Sequence, residues 1–269
     1  MQSIIIDAHI HIHECYNLGS FFNSAKANFI EKAKQNNIAD FLSMLCLTES
    51  HNVNQFAKIS SFSKRKEKIG DWEITESKNQ NSIILIDKNN FKIILIAGRQ
   101  IVTKEKLEVL ALGLIDDPND GEKIDKILKY VNEKGSISVI PWGVGKWFGN
   151  RKQIVEKLVL QNNTFPLYLG DNGNRPFFWR QPNIFSIALR KGVLNIPGSD
   201  PLPFIHEVKK PGSFGFIIND NIDIEKPFDS IYKKITDSKT QFKTFGKLEG
   251  VYNFIKNQIS MQIVKRNRK

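Results

Sequence analysis

Only Cys15 and Cys46 carry thiols in a chain of 269 residues, too few for a disulfide framework. Both suit small buried positions, and the expected location is the cytoplasm. No apolar run is long enough to span a bilayer: the longest strings hold five to seven residues and are interrupted by charges. No membrane partner is therefore expected. No basic segment precedes the first apolar run, Ile4–Ile6, and Asp7 ends it, so no secretory signal is expected either. Internal repeats and low-complexity linkers are missing, and residues 1–269 read as a single domain. Also missing is a basic helix with interleaved aromatics, the footprint of a dedicated nucleic-acid binder.

What is present describes an ordinary globular protein. Hydrophobic residues make up 41% and charged residues 25% of the chain, and its length allows one large core. The formal net charge of +11 is less usual. Residues 207–269 hold 13 Lys/Arg against 7 Asp/Glu, with a basic tail at 265–269. Such a field attracts anions. Because the lysines are scattered, an anionic small molecule is the expected partner, and nucleic acid is possible but not favoured.

Strand-like and helix-like segments alternate. Short apolar runs at 3–9, 41–47, 82–87, 91–97, 107–114, 136–141, 165–169, 193–197 and 213–218 read as strands. Helical periodicity appears near 22–37, 121–134, 150–162, 183–191, 227–237 and 249–264. Asp87-Lys88-Asn89-Asn90 reads as a hairpin turn. The pattern points to a parallel α/β barrel, with the less regular 59–80 as an insertion near the mouth of a site.

Three of the five histidines fall within five residues, His9, His11 and His13. In a strand, alternate side chains share a face, so Asp7, His9, His11 and His13 are expected to point one way and the isoleucines the other. Two imidazoles at the end of a strand are placed to converge on one metal ion. Polar residues recur wherever an apolar run stops, as catalytic residues do at the carboxyl ends of barrel strands. Thr48-Glu49-Ser50-His51, Gly98-Arg99-Gln100 and Gly170-Asp171-Asn172-Gly173-Asn174-Arg175 are examples. Pro141-Trp142-Gly143-Val144-Gly145-Lys146-Trp147 adds three features: glycines that permit close backbone approach, apolar walls, and a cation. Lys146, Arg151 and Arg175 are the expected grips for phosphate or carboxylate.

Asp7-Ala8-His9-Ile10-His11 and the late Gly198-Ser199-Asp200 resemble the metal motifs of the PHP (polymerase and histidinol phosphatase) family, over about Asp7 to Asp200. The resemblance implies a distorted (β/α)7 barrel and a metal-dependent hydrolase, with Asp200 as a carboxylate ligand. Asp171-Asn172 falls where the family often has a strand-end carboxylate and asparagine. Several family positions differ. Thr48-Glu49-Ser50-His51 replaces Thr-Asp-His, Gln100 replaces a metal-bridging glutamate, and Glu108 and Ile140 replace histidines. Pro201-Leu202-Pro203 stands where a histidine often follows Gly-Ser-Asp. The family's full trinuclear cluster is therefore not expected, and one divalent ion, at most two, is.

The reading that follows places zinc or manganese on His9, His11 and Asp200. Three ligands leave a position open for water. Glu49 or Asp171 would orient or deprotonate that water, Glu49 doubling as a candidate fourth ligand and His51 as its alternative. Lys146, Arg151, Arg175 and Asn172 would meet the substrate. Phosphoester hydrolysis is the expected chemistry. The alternatives are C–N bond hydrolysis of amidohydrolase type and a degenerate barrel that only binds.

Overall fold

Eight consecutive buried residues, Ser3–Ile10, form the first strand, β1, in the computed structural model of the chain. The structure describes residues 2–161 and 165–267, the last three by backbone alone. The basic tail 265–269 and residue 162 of the expected helix 150–162 lie outside the described side chains. After β1 come α1 (Leu18–Gln35), β2 (Phe41–Leu47), α2 (Gln55–Arg65), β3 (Lys68–Ile69), β4 (Trp72–Glu76), β5 (Ser82–Ile86) and β6 (Lys92–Ile96). Then follow β7 (Gly98–Val102), β8 (Glu108–Leu112), α3 (Ile124–Glu133), β9 (Ile137–Pro141), α4 (Asn150–Gln161) and β10 (Leu167–Gly170). The chain ends with α5 (Asn183–Arg190), β11 (Gly215–Asn219), α6 (Pro227–Thr236), β12 (Lys243–Phe245) and α7 (Val251–Asn267). No described helix is long and apolar enough to cross a membrane.

The strands make a mixed α/β fold of two sheets, and no closed barrel forms among the described residues, whereas the pattern suggested a parallel α/β barrel and the resemblance a distorted (β/α)7 one. Eight strands run in the order β12-β11-β1-β2-β6-β5-β4-β3, and four in the order β10-β9-β8-β7. Only β1–β2, β2–β6 and β9–β10 are parallel; the other neighbours are antiparallel. The expected hairpin is β5–β6, turned by Asn90 at φ 62°. The two sheets meet through isolated contacts. Glu49 pairs with Arg99, and the Gly113 amide donates to the Ala97 carbonyl at 2.7 Å. Segment 193–197, expected as a strand, makes only single pairs such as Leu169 with Asn195. Pro197 follows there, without the N–H that a regular ladder needs.

Residues 59–80, expected as an insertion, carry regular structure of their own. They finish α2 and form β3 and β4 at the sheet's edge, with Trp72 fully buried. Gly98–Val102, read from the sequence as a strand end, is itself a strand antiparallel to β8.

Both faces of β1 are covered, which explains its unbroken hydrophobic run. Ile5 packs with Phe21, Phe22 and Phe29 of α1. Ile4, Ile6 and Ala8 pack with Phe216 and with Phe228, Ile231 and Ile235 of α6. Helix α1 starts where the Asn17 side chain accepts from the Ser20 amide at 2.9 Å, an N-cap. Each fully buried isoleucine contributes roughly 1.5–3 kcal/mol.

Candidate metal centre

A break in β1 aims the histidines. Its register against β2 shifts between Asp7 and Ile10. Ile10 and Ile12 consequently join the cluster of Ile5, although their parity is opposite. A bulge of this kind re-aims the residues beyond it. Asp7 therefore parts company with His9 and His11, correcting the expectation of one shared face. The Asp7 carboxylate, fully buried, accepts from the amides of Ser199 at 2.9 Å and Gly212 at 2.8 Å. Burial pushes its pKa up to about 7, against the pull of those amides. Asp7 fastens the late loop beneath the histidines.

That loop lies against β1 because of Gly198. A Cβ there would stand 2.2 Å from the His9 nitrogen, so no side chain fits. The Asp200 amide then donates to the His9 carbonyl at 2.8 Å. Asp200 itself has φ 50°, a left-handed conformation that aspartate tolerates better than most residues but that carries strain.

The result is a triangle of donor atoms. His9 Nε2 and His11 Nε2 are 3.2 Å apart, and each is 3.5 Å from Asp200 Oδ1. Ligand atoms about 2.0–2.1 Å from a tetrahedral ion stand about 3.3–3.4 Å apart, so the three edges match one face of such a site. Among the described residues, His9, His11 and Asp200 form the group of three that could hold a metal ion. Gln100 Oε1 also lies 3.2 Å from His9 Nε2. Lone pairs aimed at one point repel unless a cation stands between them. The donor set fits a divalent metal.

The surroundings favour the ligand form of each group. Burial, then the neighbouring His9, lowers the pKa of His11 to about 3, leaving its imidazole neutral. Burial works to raise Asp200, but His9, His11 and the Asn172 hydrogen bond outweigh it and hold the carboxyl well below its usual range. Asn172 Nδ2 donates to Asp200 Oδ2 at 2.6 Å, leaving Oδ1 for the histidines. Asn174 Nδ2 donates to the Asp200 carbonyl at 2.6 Å, and Lys210 donates to Asn174. Such partners orient ligands and tune the metal. Asn174 and Lys210 were missed in the sequence, although Asn174 lay within a polar strand end already singled out.

The remaining expected residues sit elsewhere or have internal partners. Glu49 is buried, but it caps α2: one oxygen accepts from the Gln55 amide and from the Phe56 amide at 3.0 Å. Its other oxygen lies 3.7 Å from Arg99. Among the described residues Glu49 does not join the group of three donors, although it lines the cleft beside His11. Asp171 is gripped by Arg175 through bonds of 2.8 and 2.7 Å, and Arg175 also donates to the Trp179 carbonyl at 2.6 Å. Both are buried, so the expected base and the expected phosphate grip are bonded to each other. Arg151 donates to the Gly145 carbonyl within its own loop. Lys146 pairs with Glu108, yet its charge also bears on His11 and Asp200. His51 pairs with Asp117 at 3.2 Å, and His206 is half exposed beside Glu207. His13 Nε2 lies 2.9 Å from the Pro201 carbonyl. A cleft of about 490 Å³ opens beside His11 and is bordered by Glu14, Cys15 and Asn52.

Neither a protein-family model nor a curated protein sequence matches the chain. Solved structures do resemble it. PsfC from Pseudomonas syringae is 11% identical over 98% of this chain and 100% of that one, with a TM-score of 0.59. The lesion-specific endonuclease PfuEndoQ from Pyrococcus furiosus is 12% identical over 90% of this chain and 57% of that one, at 0.53. Endonuclease Q bound to a 27-mer duplex with an abasic lesion gives 12% identity, 91% and 59% coverage, and 0.50. At these identities the likeness is one of fold, and the chain spans under three-fifths of the endonuclease chains.

Proposed function

We propose that this protein is a PHP-like, metal-dependent phosphoester hydrolase using one zinc or manganese ion, or at most two. The observation that carries the reading is the triangle of His9, His11 and Asp200, with edges of 3.2, 3.5 and 3.5 Å. A divalent ion held there supplies Lewis acidity and lowers the pKa of water, so that hydroxide is available at neutral pH. His9 and His11 offer ring nitrogens, and Asp200 offers the anionic oxygen. Asn172 keeps Asp200 turned toward them, and Gln100 offers an amide oxygen beside His9. Lys146 is the cation best placed to offset phosphate charge, because, although paired with Glu108, its charge bears on His11 and Asp200. Glu49 and Asp171 reach the reaction only through these neighbours, Glu49 by fixing α2 and Asp171 by fixing the loop of Asn172.

Small anionic phosphoesters are the primary substrate class. Nucleic acid is the second reading, supported by the fold likeness to lesion-specific endonucleases and by the net charge of +11. Elemental analysis of purified wild type and His11→Ala is the test. Stoichiometric metal in the first and its loss in the second are expected, together with loss of hydrolysis of p-nitrophenyl phosphate. Retained turnover after complete chelation would overturn the proposal. Hydrolysis of cyclic amides without phosphoester turnover would shift it to C–N chemistry, and metal-free anion binding without turnover to a degenerate binding module. A single-stranded oligonucleotide bound with a steep loss on added salt would establish the second substrate class.

A further inference from the structure

Three of the four tryptophans, Trp142, Trp147 and Trp179, line one cleft at the loop that follows β9. Trp142, Trp147, Phe148 and Trp179 line a cleft of about 430 Å³, within the range of small-molecule sites. Phe148 stacks on Trp179 with centroids 5.8 Å apart and planes 26° apart, and Trp142 meets Trp179 edge-on at 5.7 Å. Phe148 is 53% exposed, so its ring is open to a ligand. Arg180 and Lys152 stand at the rim. Arg180 makes no ion pair among the described residues, and Lys152 pairs only along its own helix, with Glu156 at 3.6 Å. The indole nitrogen of Trp147 is buried without a hydrogen-bond partner. An aliphatic occupant would leave Arg180 and Lys152 unused, whereas a flat heteroaromatic ring uses both the aromatic walls and these cations.

The cleft is joined to the metal centre by one amide. Asn172 Nδ2 donates to Asp200 Oδ2 at 2.6 Å and to the Trp142 carbonyl at 3.4 Å. The same loop carries Lys146, whose charge bears on His11 and Asp200.

We infer that this cleft is a subsite for a nucleobase, so that the phosphoester handled at the metal centre belongs to a nucleoside. The inference builds on the proposed phosphoester chemistry and names its substrate class. Flat rings stack on aromatic side chains with a strength of about 1–3 kcal/mol per base, largely regardless of base identity. Arg180 adds a planar cation that stacks on or hydrogen-bonds to the ring edge.

The test is binding, which needs neither metal nor turnover. Adenosine is titrated into the full chain after EDTA treatment, followed by calorimetry and by tryptophan emission, with ribose as the baseless control. Adenosine should bind and quench emission while ribose does neither, and Phe148→Ala should weaken adenosine binding about 5- to 150-fold. Because Phe148 is largely exposed, the variant keeps its fold, and a thermal melt checks this. Arg180→Ala gives a second variant at the rim, also expected to weaken binding. No adenosine binding, equal binding of ribose, or hexanol binding as tightly as adenosine would each overturn the inference. So would unchanged affinity in both variants. Metal loss in His11→Ala reports separately on the hydrolase proposal, so either idea can fail without the other.

Discussion

Replacing Asn172 with alanine isolates the support of the metal ligand from the ligand itself. Asn172 Nδ2 donates to the Asp200 carboxylate at 2.6 Å, and Asp200 is partly buried and held ionised by its neighbours. A hydrogen bond to a charged group contributes about 1.5–3 kcal/mol. Each 1.4 kcal/mol is tenfold in an equilibrium constant, so losing the bond corresponds to roughly 10- to 100-fold in metal affinity. The same range is found when outer partners of metal ligands are removed. Asn172→Ala should therefore bind zinc roughly 10- to 100-fold more weakly at neutral pH, read by competition against a chromophoric chelator. The Asn172 side chain also accepts from the Asn174 amide at 2.7 Å, so circular dichroism must show an intact fold. A folded variant with wild-type zinc affinity would refute the assignment of Asp200 as a ligand oriented from Asn172.

Three further outcomes follow from the same contacts. Arg175→Ala leaves the buried Asp171 carboxylate without its partner and should cost about 3–5 kcal/mol in denaturant unfolding; unchanged stability with a raised KM would restore Arg175 as a substrate grip. In the metal-free protein, the His11 ring should show no proton NMR inflection near pH 6.5, because burial lowers its pKa to about 3. The unfolded chain binds that proton below pH 6.5 and the folded chain does not, so stability falls as pH drops from 6.5 toward 3. Flat stability over that window, after comparison with His11→Gln, would contradict the burial argument. Trp72→Ala empties a fully buried site between β4 and α1 and should cost about 3–5 kcal/mol; a near-neutral result would show that 59–80 adds little to the core.

Elements with a strong local period were legible from the chain alone. The β5–β6 hairpin followed from two apolar runs around Asp87-Lys88-Asn89-Asn90, and α3 from its stripe of Ile124, Ile127, Leu128 and Val131. Less legible were segments whose structure depends on distant partners. Gly98–Val102 pairs with β8 along its whole length, but Gly98-Arg99-Gln100 carries the polar signature of a strand end. Segment 193–197 carries the apolar signature of a strand, yet Pro197 and the tight seat of Gly198 against His9 limit it to isolated pairs. A parallel barrel was likewise read from alternation, which does not report strand direction.

At the metal centre, residue type was readable and carboxylate allegiance was not. His9, His11 and Asp200 were named from the sequence, and the fold brings them together. Glu49 and Asp171 look equivalent to Asp200 as strand-end acids, but acids are also the natural partners of helix amides and buried arginines. Which task each performs depends on the groups that lie nearest it, and only the fold supplies those. Glu49 meets the open amides of α2, Asp171 meets the fork of Arg175, and Asp200 meets two imidazoles. The β1 bulge makes the same point for the histidines. Strict alternation puts Asp7 with His9, while the register shift hands Asp7 to the Ser199 and Gly212 amides. By holding the late loop under β1, Asp7 brings Asp200 to the histidines without itself being a ligand.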